Sequence, residues 1–256
     1  MLNFEKEVGF IWDIDGVVMD SPHEEAWRTI AQKPEWGVEK FNSRFYLTDV
    51  ASHPRYEGGD IILTKKGVYD RLGAKTEKEK KEVLEKFCMQ KNGLIKNLIQ
   101  KGQFVTFYSS VDLILEAKIK GVKQAAASAS KNAVSMLRKI NLKDIPKFSA
   151  SRYRSLLGTG NLYSLFDIDA CGLDLGGKKE SIKFASQKLR QMSQDRIKSY
   201  IVFEDAPAGI RAAKDCGMFS VGIVRIGTKE DLWKAGADLV VNDLRELPYK
   251  ELKKNF

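Results

Sequence analysis

Two aspartates stand two residues apart at the end of an apolar run in FIWDIDGVVMDS: Asp13 and Asp15. With the period of a strand, both carboxylates leave the same side of the chain. Gly16 permits the sharp turn that must follow. Neighbouring carboxylates can divide labour, one staying ionised as nucleophile or metal ligand while the other is held protonated as a general acid. Such acid/base help is typically worth about 10²–10⁴ in rate. Taken alone, the segment also fits a plain turn, because Asp-Gly is a common turn pair.

Further segments end in polar groups after an apolar run. GVKQAAASASKN ends in Ser128, Ala129, Ser130, Lys131 and Asn132, and a helical pattern follows. Small residues at a helix start leave amide N–H groups open to an anion, and the hydroxyls and Lys131 add donors. Ser130 also fits a helix cap, which is compatible with phosphate binding. GGKKESIKF opens another helical pattern on Lys178 and Lys179, either of which can neutralise a phosphate or a nucleophile. YIVFEDAPAG ends in Glu204 and Asp205, an acid pair that suits a hard cation such as Mg²⁺. Asp205 equally fits a helix start.

Elements must bring these groups together. The apolar runs predict strands at Gly9–Trp12, Val122–Ala127, Ile168–Cys171, Ser199–Phe203, Phe219–Val224 and Asp238–Val241. Several lack polar alternation, as strands buried on both faces do. Between them, Ala133, Met136, Leu137 and Ile140, and then Ile182, Ala185, Leu189 and Met192, follow helical spacing. Pro207 suits a first helical turn and Gly217 a helix C-terminus. The alternation predicts an α/β fold, a doubly wound, Rossmann-like, mostly parallel sheet with ligands at the carboxyl ends of its strands. In such a sheet the four polar strand ends converge on one edge. From about Ser21 to Gln103 the pattern is helical, with HEEAWRTIA, EKEKKEVLEKFCMQ and NGLIKNLIQ. The expected organisation is a core domain of residues 1–20 and 104–256, with a helical cap domain, 21–103, inserted as a lid.

Composition bounds the alternatives. The chain has 256 residues, 43% hydrophobic and 30% charged, as a soluble globular protein with a real core does. No run approaches the roughly 20 apolar residues of a membrane span, and the acidic N-terminus is unlike a signal peptide. A cytoplasmic protein without membrane partners is expected. Cys88, Cys171 and Cys216 are scattered and only His23 and His53 occur, which disfavours a zinc site built from His and Cys. The net charge of +9 admits nucleic acid as a partner. Yet the densest basic run, KTEKEKKE, alternates with glutamates like a solvated helix face, and no aromatic-interleaved basic stripe is present. No nucleic-acid partner is expected.

In the order DxDG, serine at a strand end, lysine, then Glu-Asp, the whole chain resembles the haloacid dehalogenase superfamily. DIDGVVMDS, ASASKN and FEDAPAGIRAAKD are similar to its β-phosphoglucomutase-like subgroup, as are HPRYEGG and QKN in the inserted segment. The resemblance implies that Asp13 is the nucleophile and Asp15 the general acid and base. It implies Mg²⁺ held by Asp13, the Asp15 carbonyl and Asp205, with Glu204 direct or through water. Ser128 and the Ala129 amide then bind the transferring phosphoryl group, with Lys178 neutralising charge. Arg55, Ser130 and Asn132 would then hold a second, non-transferring phosphate if the substrate has one, Lys131 is a further substrate-binding residue, and His23 and Lys91 lie near the leaving group. Where the family's lysine is followed by prolines this chain has Lys178-Lys179-Glu180-Ser181, so Lys179 stays open beside Lys178. The chain is about two residues shorter than the mutase between Asp20 and His23, and Trp12 stands where Phe is usual. The implied activity is hydrolysis of a small sugar phosphate, with sugar phosphomutase as the alternative. The remote alternative is a non-catalytic phosphate- or nucleic-acid-binding protein. A monomer or small homo-oligomer is expected.

Overall fold

Apolar segments that must pair their backbone groups while burying both faces settle into a parallel sheet. The structure, a computed structural model, describes residues 3–51, 53–145, 160–225 and 227–256. Its strands are β1 (Val8–Trp12), β2 (Met19–Asp20), β3 (Val105–Thr106), β4 (Lys123–Ala126), β5 (Ile168–Asp169), β6 (Ser199–Glu204), β7 (Phe219–Ile223) and β8 (Leu239–Val241). Six of them form one sheet in the order β5-β4-β1-β6-β7-β8, every neighbouring pair parallel. This is the expected doubly wound α/β arrangement. Every residue of the central β1 is buried, which explains its unbroken apolar sequence.

Register decides where the polar strand ends arrive. Trp12 is paired with Ala126 on β4 and with Phe203 on β6. The next residues of all three strands therefore emerge level. Asp13 N–H donates to the Phe203 carbonyl at 3.0 Å, and Ala127 N–H to the Trp12 carbonyl at 2.8 Å. Helices then carry the chain back. Pro207 opens the helix Pro207–Asp215 at its first turn, and Gly217, at φ 67°, follows its end.

Strand limits differ from the sequence expectation in ways that side chains explain. β5 stops at Asp169, whose carboxylate accepts from Cys171 N–H at 2.8 Å and turns the chain. β6 runs one residue further, so Glu204 is part of the strand. The antiparallel pair β2–β3 was not expected; two-residue strands have no periodicity to read.

The chain divides into two compact units, Met1–Asp20 with Val105–Phe256, and Ser21–Phe104. Among the described residues the regular elements of the second unit are all helices. EKEKKEVLEKFCMQ and NGLIKNLIQ form one helix, Glu77–Gln100, started by a capping box between Thr76 and Glu79. Its core gathers Trp27, Trp36, Ile62, Leu63, Phe87 and Cys88. Phe87 lies 5.4 Å from Trp27 and 4.9 Å from Trp36, ring centre to ring centre. The Trp36 indole N–H, which burial would otherwise strand, donates to Gln90 at 3.0 Å.

Candidate active site

At the carboxyl end of the sheet, one oxygen each of Asp13, Glu204 and Asp205 lies within 4.8 Å of the others. Asp13 and Glu204 are buried; Asp205 keeps partial exposure. The Lys178 ammonium, at the first residue of the helix Lys178–Met192, lies 2.7 Å from Asp13 and also pairs with Glu204. Lys179 points elsewhere and pairs with Asp215 at 3.0 Å. Adjacent helical residues diverge by a large angle, so only one of two neighbouring lysines can reach a given strand end.

The charges shift one another. Burial works against the Lys178 ammonium, but the charges and hydrogen bonds of Asp13 and Glu204 outweigh it, and its pKa rises. Burial pushes the Glu204 carboxyl up, the Asp13 charge adds to this, and Lys178 opposes it. Asp205 is raised well above the usual carboxylate range by burial and then by the charges of Glu204, Asp13 and Asp15. One ammonium among crowded carboxylates leaves negative charge uncompensated. An all-oxygen acidic donor set of this kind fits a hard divalent cation, Mg²⁺ foremost.

Two glycines let the acids pack so closely. A Cβ on Gly16, whose φ is 87°, would sit 2.0 Å from the Asp205 carboxylate, and one on Gly209 would sit 2.1 Å from that of Glu204. Gly16 was legible as a turn residue. Gly209 carries no such local signal, because its requirement comes from the preceding strand end.

Beside the acids, Ser128 is buried; its hydroxyl accepts from Ser130 N–H at 3.1 Å, and its carbonyl accepts from Gly172 N–H at 2.8 Å. Ser130 in turn accepts from Asn132 N–H at 3.3 Å. The helix that follows begins at Ala133 with Asn132 as its flanking residue, so Ser130 is not its cap. Ala129 and Lys131 are exposed and Asn132 is buried. Asp15 lies in the turn after Asp13, bridged to Met19; its carboxylate is outside the three-acid cluster.

Trp12 stacks on Phe203 with ring centres 3.8 Å apart and planes 7° apart. Its replacement of Phe is more than an apolar exchange, because its indole N–H donates to the buried Gln124 at 2.9 Å. Gln124 in turn donates to the Ile114 carbonyl at 2.9 Å. Sequence reading missed this pair, whose members lie far apart in the chain.

The helical unit gathers the other expected residues, His23, Lys91 and Arg55. Lys91, only 3% exposed, donates to His23 Nδ1 and lies 4.8 Å from the centre of the Trp27 ring. Burial first, then the charges of Lys91 and Arg55, hold the His23 pKa well below its usual value. His23, at the start of the helix His23–Ala31, is therefore a neutral acceptor.

No protein-family model matches the chain. It is 33% identical to an archaeal β-phosphoglucomutase of known structure from a hyperthermophilic Pyrococcus, covering 97% of this chain and 98% of that one with a TM-score of 0.77. It is 27% identical to the β-phosphoglucomutase of Bacillus subtilis over 96% of this chain and 94% of the relative. It is also 39% identical to 2-deoxyglucose-6-phosphate phosphatase 2 of Saccharomyces cerevisiae, over 82 residues, 32% of this chain and 33% of that protein. The chain thus matches about a third of the length of that phosphatase. A parallel sheet with an inserted helical unit and acids at converging strand ends defines a hydrolase-like α/β class. Within it, the chain belongs to the haloacid dehalogenase superfamily, in its β-phosphoglucomutase-like subgroup.

Proposed function

We propose that the protein is an enzyme that removes the phosphoryl group of a small sugar phosphate through an aspartyl phosphate on Asp13. The observation that carries this reading is the meeting of Asp13, Glu204, Asp205 and Lys178 at the carboxyl end of one sheet. In the reading, an Asp13 oxygen attacks phosphorus while Asp15 gives its proton to the leaving oxygen. Asp15 then takes a proton from the water that attacks the phosphoenzyme, and inorganic phosphate leaves. Lys178 offsets the repulsion between an anionic nucleophile and an anionic phosphate. Ser128 and the Ala129 amide hold the transferring group. Arg55, Ser130 and Asn132 are assigned to any second phosphate, Lys131 to substrate binding beside them, and His23 and Lys91 to the region of the leaving group.

The acids Asp13, Glu204 and Asp205 fit Mg²⁺, which they would hold together with the Asp15 backbone carbonyl. When bound, it supplies Lewis-acid stabilisation of charge on the phosphoryl oxygens. No helix among the described residues is long and apolar enough to cross a membrane.

A second reading, transfer to a sugar hydroxyl by a phosphomutase, is favoured by the near full-length likeness to two proteins named β-phosphoglucomutase. The two readings share the aspartyl phosphate and differ in the acceptor. A panel of sugar monophosphates with Mg²⁺, assayed with the wild type and with Asp13→Asn, tests both. Phosphate release supports the hydrolase. Conversion of β-glucose 1-phosphate primed with a sugar bisphosphate supports the mutase. Neither activity in the wild type, or full activity in Asp13→Asn, would falsify the aspartyl-phosphate reading.

A further inference from the structure

Arg225 follows β7 and is partly buried. Its Nε donates to the Gly16 carbonyl at 3.0 Å. Its Nη1 donates to the Asn242 carbonyl, just beyond β8, at 3.1 Å. The guanidinium carbon lies 3.8 Å from the centre of the Phe107 ring, directly after β3. Nη2 is buried with no hydrogen-bond partner among the described residues. One side chain thus ties together the turn after Asp15, the segment that follows β3, and the end of the last strand.

The turn it grips is otherwise closed on itself. Gly16 N–H donates to Met19, and the Val18 and Met19 N–H groups both donate to Ile14. The carbonyls that point outward are taken by donors from elsewhere: Gly16 by Arg225, Val17 by the Ser110 hydroxyl and Val18 by the Phe107 N–H at 3.0 Å. The other side of Gly16 abuts the Asp205 carboxylate. Any drift of this turn changes the spacing of Asp13 and Asp15 from Asp205. A planar guanidinium suits the task, because it donates in two directions while lying flat on an aromatic ring; an ammonium cannot do both.

We propose that Arg225 is a positioning residue for phosphoryl transfer, its grip on Gly16 and Asn242, held flat by Phe107, fixing the Asp13–Asp15 turn against Asp205. This inference rests on the phosphoryl-transfer reading of the site. It assigns Arg225 no contact with substrate.

Steady-state kinetics of Arg225→Ala, Arg225→Lys and Arg245→Ala beside the wild type and Asp13→Asn test it. Misplacement of reacting groups by about 1 Å costs about 10²-fold, so Arg225→Ala is expected to lose kcat on that scale while KM stays within about threefold. Methylguanidine in the tens of millimolar is expected to restore part of the kcat of Arg225→Ala and none of that of Asp13→Asn. Arg225→Lys is expected to stay well below the wild type. Arg245, exposed and paired with Asp243, serves as the control, and its alanine variant is expected to match the wild type. Undiminished kcat in Arg225→Ala, a loss that methylguanidine leaves untouched, or a fully active Arg225→Lys each overturns the inference while leaving the Asp13 reading intact. If Arg225→Ala does not fold, the lysine variant decides alone. A wild type without phosphoryl-transfer activity overturns the underlying reading, and this inference with it.

Discussion

The two units hold their polar groups by different means. In the sheet unit, Asp13, Ser128 and Glu204 sit at or beside the ends of neighbouring parallel strands, and backbone register sets their spacing. In the helical unit, His23 and Lys91 meet on helices whose spacing is set by aromatic packing around Trp27 and Phe87. The first arrangement is stiff, because moving one acid means breaking ladder hydrogen bonds. The second is adjustable by side-chain volume. Groups that must stay at fixed spacing are better held by the first arrangement, and groups that can shift by the second.

The contrast can be broken from either side. Asp13→Asn is expected to lower phosphoryl transfer by about 10⁴-fold or more, on the scale of losing a nucleophile, with unchanged far-UV circular dichroism. Lys178→Met is expected to cost about 10²–10³-fold in kcat, as the loss of a charge-stabilising donor does. Lys179→Met is expected to leave kcat unchanged, since that ammonium pairs with Asp215 at the surface. Equal losses from the two would show that sheet geometry does not select between neighbouring lysines.

Phe87→Ala attacks the other side. A buried Phe between two tryptophans costs about 3–5 kcal/mol when truncated. Hydrogen exchange is expected to show protection falling across 21–104 and holding in β1, β4 and β6. Loss spread evenly over both units would end the distinction.

The smallest effect concerns pH. His23 is held neutral by burial and by the Lys91 and Arg55 charges. Its folded pKa lies below its unfolded value, so the unfolded chain binds the extra proton as pH falls through about 6.5. Its contribution is complete above that pH and fades below it, by less than about 1.4 kcal/mol per pH unit. Urea denaturation at pH 7.5 and 5.5 is expected to show a smaller loss for His23→Asn than for the wild type. An identical loss in both would mean that His23 protonates freely.

Much of this was legible in the sequence for a physical reason. Asp13, Ser128 and the Glu204-Asp205 pair each follow an apolar run, and a parallel sheet brings such ends to one edge. The choice between Lys178 and Lys179 was not legible, because it depends on which side of a helix faces the acids. Arg225 stands in VGIVRIGT with no pattern around it; its meaning lies in carbonyls contributed by residues 16 and 242. The Trp12–Gln124 pair escaped for the same reason. Three-dimensional partnership between distant residues leaves no local trace.

The register of β1 has a consequence for how the molecule comes into being. It joins Val8 to Ser199 and Gly9 to Lys123, so ordering the ends of those strands requires closing very long loops, the slowest kind of contact to form. The capping box and helix of 76–100 need only neighbours along the chain. A nascent chain can therefore acquire helical structure in its insert early, while the group of acids remains scattered until the C-terminal strands arrive. Copies that have not yet ordered β4 and β6 beside β1 therefore lack the assembled group of acids.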